Sequence, residues 1–236
     1  MNPEISVVIL CYGAGQRAYA FVERTVKLLE LFTPSWEIIL VANYFENSDD
    51  NTPKIVKDIS LKDERIKVVA KPKEGMMGWD ARSGMDKATG EYICLIDGDE
   101  QMPPGDIIRV YRKIKRDNLE LVKTYRAIRY DGIARRTVSF IYNLLFTILF
   151  PGIKAKDMNS KPKIFTREAY NKMHLTSNDW FLDAEMMIAA RRLRLKQGQI
   201  PTKFYKCNYR NSFVRMTTIF EFLRNLSHAR IGEFFK

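Results

Sequence analysis

The chain has few cysteines, and their arrangement suits neither a disulfide framework nor a zinc site. Cys11, Cys94 and Cys207 are scattered through 236 residues without a Cys-x-x-Cys pair. Zinc sites need closely paired ligands, so this spacing argues against one. Two of the cysteines lie in or beside apolar runs, and we therefore expect buried free thiols in a reducing compartment.

Long apolar runs are also missing. The longest, residues 138–153, is interrupted by Tyr142, Asn143 and Pro151. It falls short of the ~20 residues that a spanning helix needs. The first residues lead straight into a strand-like run without the charged and apolar regions of a signal peptide. We expect neither a membrane span nor a secretory leader.

Acidic residues are in the minority. Lys and Arg number 39 against 28 Asp and Glu, which makes the net charge +11. Proteins of this charge bind nucleic acid, anionic lipid headgroups or phosphorylated substrates. The hydrophobic content of 46% is that of a globular protein, and no repeat, low-complexity tract or linker divides the chain.

Apolar runs alternate with helix-like segments over the first hundred residues. This alternation predicts βαβ units and an α/β fold with a mostly parallel central sheet. The predicted strands are 5–11, 36–42, 66–70 and 92–96, and the predicted helices are 18–31, 53–59 and about 79–89.

The residues after the first two predicted strands disfavour a dinucleotide-binding fold. Gly13-Ala14-Gly15 lacks the third glycine of the fingerprint, and the second run ends in Ala42-Asn43 rather than in an acid.

The strand-like run 92–96 ends in Asp97-Gly98-Asp99, and two prolines, Pro103 and Pro104, come shortly after. In open α/β sheets, ligands collect beyond the carboxyl ends of the strands. Two carboxylates this close repel each other unless a cation lies between them, and hard oxygen ligands suit Mg²⁺ or Mn²⁺. A lone Asp-x-Asp also occurs in solvated turns, so the motif needs support from elsewhere in the chain.

That support comes from three blocks that occur in order. Residues 78–104 contain Gly78-x3-Arg82-x-Gly84 and lead into the Asp-x-Asp motif; residues 156–169 read KDMNSKPKIFTREA; and residues 180–186 read WFLDAEM. Together they resemble the family 2 glycosyltransferases of the GT-A fold, and within them the polyprenyl-phosphate branch of dolichol-phosphate mannose and glucose synthases. The resemblance covers roughly residues 4–215.

The resemblance implies roles for particular residues. Asp97 would contact the nucleotide and join Asp99 and Gln101 around a Mg²⁺ or Mn²⁺ ion. The metal would neutralise the departing diphosphate as a Lewis acid and template. Basic side chains would share that task. Further donor-site candidates are Tyr12, Asn43, Arg82, Arg210 and Arg215.

The acceptor side has its own candidates. Asp157 and Asp183 could orient the sugar or the acceptor, or each could form a buried ion pair with Arg or Lys. Asp183 and Glu185 are two residues apart and cannot face the same side of a helix. Arg135 and its neighbour Arg136 directly precede an apolar stretch, where they could meet an acceptor phosphate; Arg126 is another candidate. The catalytic set is therefore predicted as Asp99, Asp157, Asp183 and Arg135.

Three departures from the family pattern affect substrate identity. Only Tyr12 remains of the signature that comes after the first strand, Ala42-Asn43 replace an acidic pair, and Lys161-Pro162 replace a Gly-Phe. These changes leave open which base the donor carries and what the acceptor is. A catalytically inactive relative is a further alternative.

Two segments are candidates for membrane contact. Residues 139–150 (SFIYNLLFTILF) have basic residues on both sides, as expected of an interfacial helix on anionic lipid. Residues 217–235 show a similar mixture of apolar and basic residues. The alternative for each is a core or dimer helix.

We therefore predict a metal-dependent family 2 glycosyltransferase, a GT-A domain over 1–212 with an interfacial helix at about 136–153 and an amphipathic tail over 213–236. It would move a sugar, with inversion, from a UDP- or GDP-sugar to a lipid-linked acceptor such as a polyprenyl phosphate. We expect it to be peripheral on the cytoplasmic membrane face, without a nucleic acid partner; a homo-oligomer stays open. Two alternatives stay open: a soluble enzyme that acts on a saccharide hydroxyl, and a nucleic-acid-binding module, prompted by the net charge, that would not need Asp97 and Asp99.

Overall fold

The computed structural model describes residues 2–153, 155–207 and 224–231. A seven-stranded sheet lies at its centre, with helices on both faces, which confirms the predicted α/β class. Its elements in chain order are β1 (Ile5–Leu10), α1 (Arg17–Phe32), β2 (Trp36–Val41), α2 (Thr52–Ser60), β3 (Ile66–Val69), α3 (Met77–Met85), β4 (Tyr92–Asp97), α4 (Gly105–Arg116), β5 (Leu121–Arg129), α5 (Ile133–Leu149), β6 (Lys163–Thr166), α6 (Arg167–Met173), α7 (Leu182–Arg192) and β7 (Gln197–Phe204).

The strand order is β3-β2-β1-β4-β6-β5-β7. The strands β1 to β4 pair in parallel, as do β5 and β7, whereas β6 runs antiparallel to both of its neighbours. Because β6 is antiparallel to both β4 and β5, β5 runs in the same direction as β4. The carboxyl ends of β1, β4 and β5 and the amino end of β6 therefore meet at one edge of the sheet.

The sheet separates two apolar cores. Successive side chains of a strand point to opposite faces, so Ile5, Val7 and Ile9 pack towards α1, α2 and α4, while Val8 packs towards α3, α5, α6 and α7. Strands buried on both faces read as continuous apolar runs, which is why the sequence predicted β1, β2 and β4 to within a residue at each end.

The helix α3 differs from its predicted span of about 79–89. It begins at Met77 because the preceding turn is held from outside: the amide of Met76 donates to the carbonyl of Asn178 over 2.7 Å. It ends at Met85 because the chain must return to the sheet, where the amide of Gly90 donates to Ser6 Oγ over 2.7 Å. A Cβ added to Gly84 would lie 2.5 Å from Val8 Cγ1, so α3 approaches the sheet as closely as glycine permits.

The apolar helix predicted over 136–153 is α5, which begins at Ile133 and ends at Leu149. Its Phe146 is buried in the core between α5 and the sheet, while Phe140, Leu144 and Ile148, spaced four residues apart, face outwards. Over the described residues, no helix is long and apolar enough to cross a membrane. Most of the predicted tail over 213–236 lies outside these residues; the part that is described, 224–231, is helical.

Candidate active site at the carboxyl ends of the strands

The Asp-x-Asp motif lies at the end of β4. Asp97 is the last residue of the strand, and its side chain is 28% exposed. The amide of Gly98 donates to the carbonyl of Leu10 over 2.9 Å, and a Cβ at Gly98 would meet Ile9 Cγ2 at 2.9 Å, so the turn passes directly against β1. Asp99 is half-buried and accepts a hydrogen bond from the amide of Gln101 over 3.1 Å.

A lysine unforeseen by the sequence analysis lies beside this motif. Lys161 comes two residues before β6, at the end of the sheet where β4 ends. Its Nζ is 3.3 Å from Asp97 Oδ2 and 3.0 Å from Asp183 Oδ2. The other oxygen of Asp183 accepts from Lys163. Asp183 is buried in the first turn of α7, so two lysine ammonium groups share one buried carboxylate.

The ionisation of this cluster follows from its contacts. Burial alone would raise the pKa of Asp183, but the charges of Lys161 and Lys163 outweigh it and lower that pKa. Burial would lower the pKa of Lys161, yet Asp183 and Asp97 raise it above the ordinary lysine value. The pKa of Lys163 is lowered, because burial outweighs its single carboxylate partner. The cluster therefore favours a carboxylate at Asp183 and an ammonium at Lys161.

Asp157 forms the buried ion pair that the sequence analysis gave as the alternative to an orienting role. Arg126 Nε donates to Asp157 Oδ2 over 2.6 Å, and Arg126 Nη2 donates to Oδ1 over 2.7 Å. Burial would raise the pKa of Asp157, but the Arg126 guanidinium outweighs it and holds that pKa well below its usual range. The ammonium of the fully buried Lys123 donates to the Asp157 carbonyl. Burial lowers the pKa of Lys123 to about 7.

A basic cleft of about 360 Å³ opens between the end of β5 and α5. Arg126 and Arg129 line it from β5, and Arg136 lines it from α5. Lys156 completes the wall, with its Nζ 4.6 Å above the ring of Tyr125. Arg126 and Arg129 are paired with Asp157 and Asp131, whereas Arg136 donates to the backbone carbonyl of Arg129. The cleft has the charge for an anion. Of the predicted pair, Arg136 lines it; Arg135 is exposed at the start of α5 and does not.

Tyr12 lies just beyond β1 in an aromatic and basic cluster. Its ring meets Phe45 edge to face with centroids 6.1 Å apart, and Lys73 Nζ lies 4.5 Å above the Tyr12 ring. Lys73 also pairs with the buried Asp80, whose pKa is raised because burial outweighs the lysine. The half-exposed aromatic rings offer a surface on which a base could stack.

Asn43, predicted to bind the donor, does not reach this surface. It is fully buried, and its amide donates to Asp80 Oδ1 over 2.9 Å and to Ser83 Oγ over 3.1 Å. Its oxygen accepts from the amide of Lys71 over 3.1 Å. These bonds join the end of β2 to α3.

Arg82 and Gln101 also have protein partners. Arg82 Nη1 donates to the carbonyl of Thr176 over 2.7 Å and to Asn178 Oδ1 over 2.6 Å, which holds the segment before α7 against α3. Glu185 accepts from the amide of Thr176 over 2.9 Å and so points away from Asp183, as the helical spacing requires. Gln101 Nε2 donates to the carbonyl of Tyr205 over 2.9 Å and anchors the chain after β7.

The oxygen ligands at the end of β4 suit a divalent cation that is shared with a substrate. Among the described residues, no group of three or more His, Cys, Asp or Glu side chains could enclose a metal. Mg²⁺ and Mn²⁺ do not need such a cage, since they are held by one or two carboxylates together with water and substrate phosphates. The partly exposed oxygens of Asp97 and Asp99 at the strand end fit that requirement.

Several residues that shape the site escaped the sequence analysis: Arg129, Lys156, Lys73 and the ammonium of Lys161. Lys156 and Lys161 stood in the block over 156–169, where Lys161 was a departure from the family pattern. Arg210 and Arg215, predicted to bind the donor, lie outside the described residues. A larger cavity, of about 450 Å³, lies at the opposite end of the sheet beside Gly90 and Arg167, remote from the Asp-x-Asp motif.

The chain resembles known proteins in sequence. A family model described as Glycosyl transferase family 2 matches residues 6–179. An undecaprenyl-phosphate 4-deoxy-4-formamido-L-arabinose transferase of Yersinia pestis (strain Pestoides F) is 28% identical over 142 residues, which cover 60% of this chain. The same match covers 42% of that relative, so the chain spans less than half the length of the protein that it resembles.

Solved structures share the fold. Glucosyl-3-phosphoglycerate synthase from Mycobacterium tuberculosis, solved with Mn²⁺, uridine diphosphate and phosphoglyceric acid, has a TM-score of 0.71 at 17% identity; the match covers 98% of this chain and 79% of that one. A mannosyltransferase from Pyrobaculum calidifontis, solved with GDP-mannose and Mn²⁺, has a TM-score of 0.63 at 14% identity, covering 90% and 59%. At these identities the likeness confirms the GT-A architecture.

Proposed function

The chain belongs to the family 2 glycosyltransferases, and from this premise we propose that it transfers a sugar from a nucleotide diphosphate donor to a polyprenyl phosphate at the membrane surface. The observation that carries the proposal is one shared edge of the sheet. There the Asp97 and Asp99 carboxylates lie at the end of β4, and the basic cleft opens at the end of β5 beside the exposed apolar residues of α5.

The donor would bind at the end of β4. Asp99, with Asp97 beside it, would hold Mg²⁺ or Mn²⁺, which would supply Lewis-acid neutralisation of the diphosphate when bound. Its base would stack near Tyr12 and Phe45. The Yersinia relative is named as a transferase to undecaprenyl phosphate, and the two structural neighbours are solved with UDP or GDP-mannose and Mn²⁺. These names support the substrate class and leave the sugar and the base open.

The acceptor phosphate would enter the basic cleft. There Arg136 and Lys156 offer donors that are not engaged with a carboxylate in any described contact, while Arg126 is aligned by Asp157. A phosphate oxygen would attack the anomeric carbon as the bond from that carbon to the diphosphate oxygen breaks, and the nucleoside diphosphate would leave with the electron pair. A phosphate is already an anion near neutral pH, so the step needs no dedicated general base.

The helix α5 would contact the membrane. Its exposed residues include Phe140, Leu144 and Ile148 and, near its first turn, Arg135 and Arg136. Apolar side chains that enter the headgroup region and basic ones that attract anionic lipid are the features of an interfacial helix. Such a helix would bring the phosphate of a membrane-bound acceptor to the cleft beside it.

A transfer assay tests the proposal. Vesicles containing undecaprenyl phosphate are incubated with the full chain, Mn²⁺ and labelled UDP- or GDP-sugars, after a thermal-shift screen has selected the donor. We expect lipid-linked product, and we expect Asp99→Ala to abolish it while leaving the melting temperature without ligand unchanged. The control is Asp58→Ala, which removes an exposed acid from α2.

Two results would refute the assignment. Undiminished turnover by the Asp99→Ala variant would remove the metal role. Transfer to short saccharides without lipid, and none to the lipid phosphate, would instead support the soluble enzyme that acts on a saccharide hydroxyl.

A further inference from the structure

The proposed chemistry gives no role to the ammonium of Lys161. It is almost fully buried, with 3% of the residue exposed, and it lies between two carboxylates from different elements. A buried ammonium is normally compensated by the partners it holds. The two carboxylates differ in how far they depend on it.

Asp183 already has a cationic partner without Lys161. Lys163 contacts Asp183 Oδ1, whereas Lys161 contacts Oδ2. Asp97 is different, because Lys161 is the one lysine or arginine that the described contacts place within ion-pair distance of it. The contact peculiar to Lys161 is therefore the one with the first aspartate of the Asp-x-Asp motif.

The backbone fixes this ammonium in place. Thr124 Oγ1 on β5 donates to the carbonyl of Lys161 over 2.6 Å, and the amide of Thr124 donates to the carbonyl of Pro162 over 3.2 Å. The side chain thus leaves a segment tied to one strand and reaches the end of another. A surface lysine that met Asp97 by chance would have neither this burial nor this anchorage.

We propose that Lys161 is a positioning residue that holds Asp97 as an ion pair, so that Asp99 and the donor diphosphate bind the divalent metal while Asp97 stays beside it. An ammonium and a metal ion compete for the same carboxylate oxygens, and each repels the other. The chain would thereby hold its metal weakly in the absence of donor, since a single aspartate supplies the charge. The inference rests on the proposed metal-dependent donor site.

Calorimetric titration of Mn²⁺ into the full chain, with and without the nucleoside diphosphate, tests this without any turnover. Lys161→Met removes the charge and frees Asp97, and without nucleotide we expect Mn²⁺ to bind about tenfold more tightly. Lys161→Arg keeps the charge and should stay within about twofold of the native affinity. Lys87→Met is the control for net charge, because Lys87 is exposed beyond α3, towards the amino ends of the strands.

The two aspartates give a second test that does not disturb a buried group. Asp99→Asn should weaken Mn²⁺ binding on the order of 100-fold, whereas Asp97→Asn should cost less than about tenfold. Adding Asp97→Asn to Lys161→Met should remove most of the gained affinity. Circular dichroism of each variant monitors folding, and the aspartate pair decides the matter if Lys161→Met does not fold.

The outcomes separate this inference from the proposed function. If native protein binds Mn²⁺ and Lys161→Met binds it no more tightly, or if Asp97→Asn and Asp99→Asn lose equally, the role of Lys161 is refuted and the metal site stands. If neither native protein nor Lys161→Met binds Mn²⁺, even with nucleotide, both are refuted. Tight binding by Lys161→Met alone would support the competition and refute metal dependence of the native chain.

Discussion

The outward side of α5 offers the sharpest test of membrane attachment. The structure changes the choice of residues: from the sequence, one would replace the adjacent Leu144, Leu145 and Phe146, but Phe146 is fully buried and its loss would disrupt the core. Phe140, Leu144 and Ile148 form a stripe with exposed fractions of 67%, 48% and 65%. Changing these three to Gln removes exposed apolar surface without removing a buried core side chain.

The expected effect comes from these fractions. Full burial of one such side chain is favourable by about 1.5–3 kcal/mol, so the exposed portions of the three contribute roughly 4 kcal/mol when they enter the interface. A difference of this size corresponds to about a thousandfold in the partition coefficient between water and vesicles. The basic residues of α5 persist in the variant, so weak attraction to anionic lipid should remain.

Sedimentation with vesicles of phosphatidylcholine, with and without phosphatidylglycerol, measures this partition. The matched control changes Leu31 and Leu61 to Gln; both are more exposed than any of the three, and they lie on the side of α1 and α2, across the sheet from α5. Native protein and control should sediment with anionic vesicles, and most of the triple variant should stay in the supernatant.

Equal sedimentation of the triple variant and native protein would refute the reasoning. Light scattering after gel filtration then identifies the alternative. A native dimer that becomes a monomer in the triple variant, with vesicle binding unchanged, would make the outward side of α5 a subunit contact.

Three further predictions concern stability and are measured by chemical denaturation. Gly84→Ala should cost about 1–3 kcal/mol, since its Cβ would collide with the sheet, while Gly105→Ala, whose Cβ meets no atom within 4 Å, should change stability by less than about 1 kcal/mol. Arg126→Met should lower the free energy of unfolding by about 3–5 kcal/mol at pH 7, because it leaves the Asp157 carboxylate buried without its partner. In the native protein, the stability that this ion pair contributes should be lost as the pH falls below about 4, since the pKa of Asp157 is lowered in the folded state. Lys123, with its pKa lowered to about 7, binds fewer protons in the folded chain than in the unfolded one, so native stability should rise between pH 7 and about 10, and Lys123→Met should remove that rise.

Much of the architecture could be predicted from local pattern. The runs that became β1, β2 and β4 are apolar except for Ser6, Glu37 and Asp97, because strands covered on both faces bury nearly all of their side chains. The position of Asp97 and Asp99 could be predicted as well, since a ligand site lies where a central strand ends. The ends of α1 and α2 were also predicted to within one residue, whereas those of α3 were not. The limits of α3 depend on hydrogen bonds to Asn178 and Ser6, which belong to other parts of the chain.

The candidate site depended far more on tertiary structure. Asp157 and Asp183 were recognised as important, but the sequence left open whether they contact a substrate or form ion pairs, and the structure pairs them with Arg126 and with two lysines. Asn43 was assigned to the donor from its place after β2, yet it is buried. Whether a polar side chain is buried in an ion pair or available to a ligand depends on partners from distant parts of the chain. A local sequence pattern does not identify those partners.

By itself, the sequence determined the α/β class, the strand that ends in two aspartates and the membership of a glycosyltransferase family, since each of these depends on neighbouring residues. Only the tertiary structure decided that Lys161 reaches both Asp97, 64 residues away, and Asp183, 22 residues away. The physical reason is the sheet order: β6 runs antiparallel between β4 and β5, so the residues that precede it arrive where β4 ends. No periodicity in the chain encodes that crossing, and the electrostatics of the site depend on it.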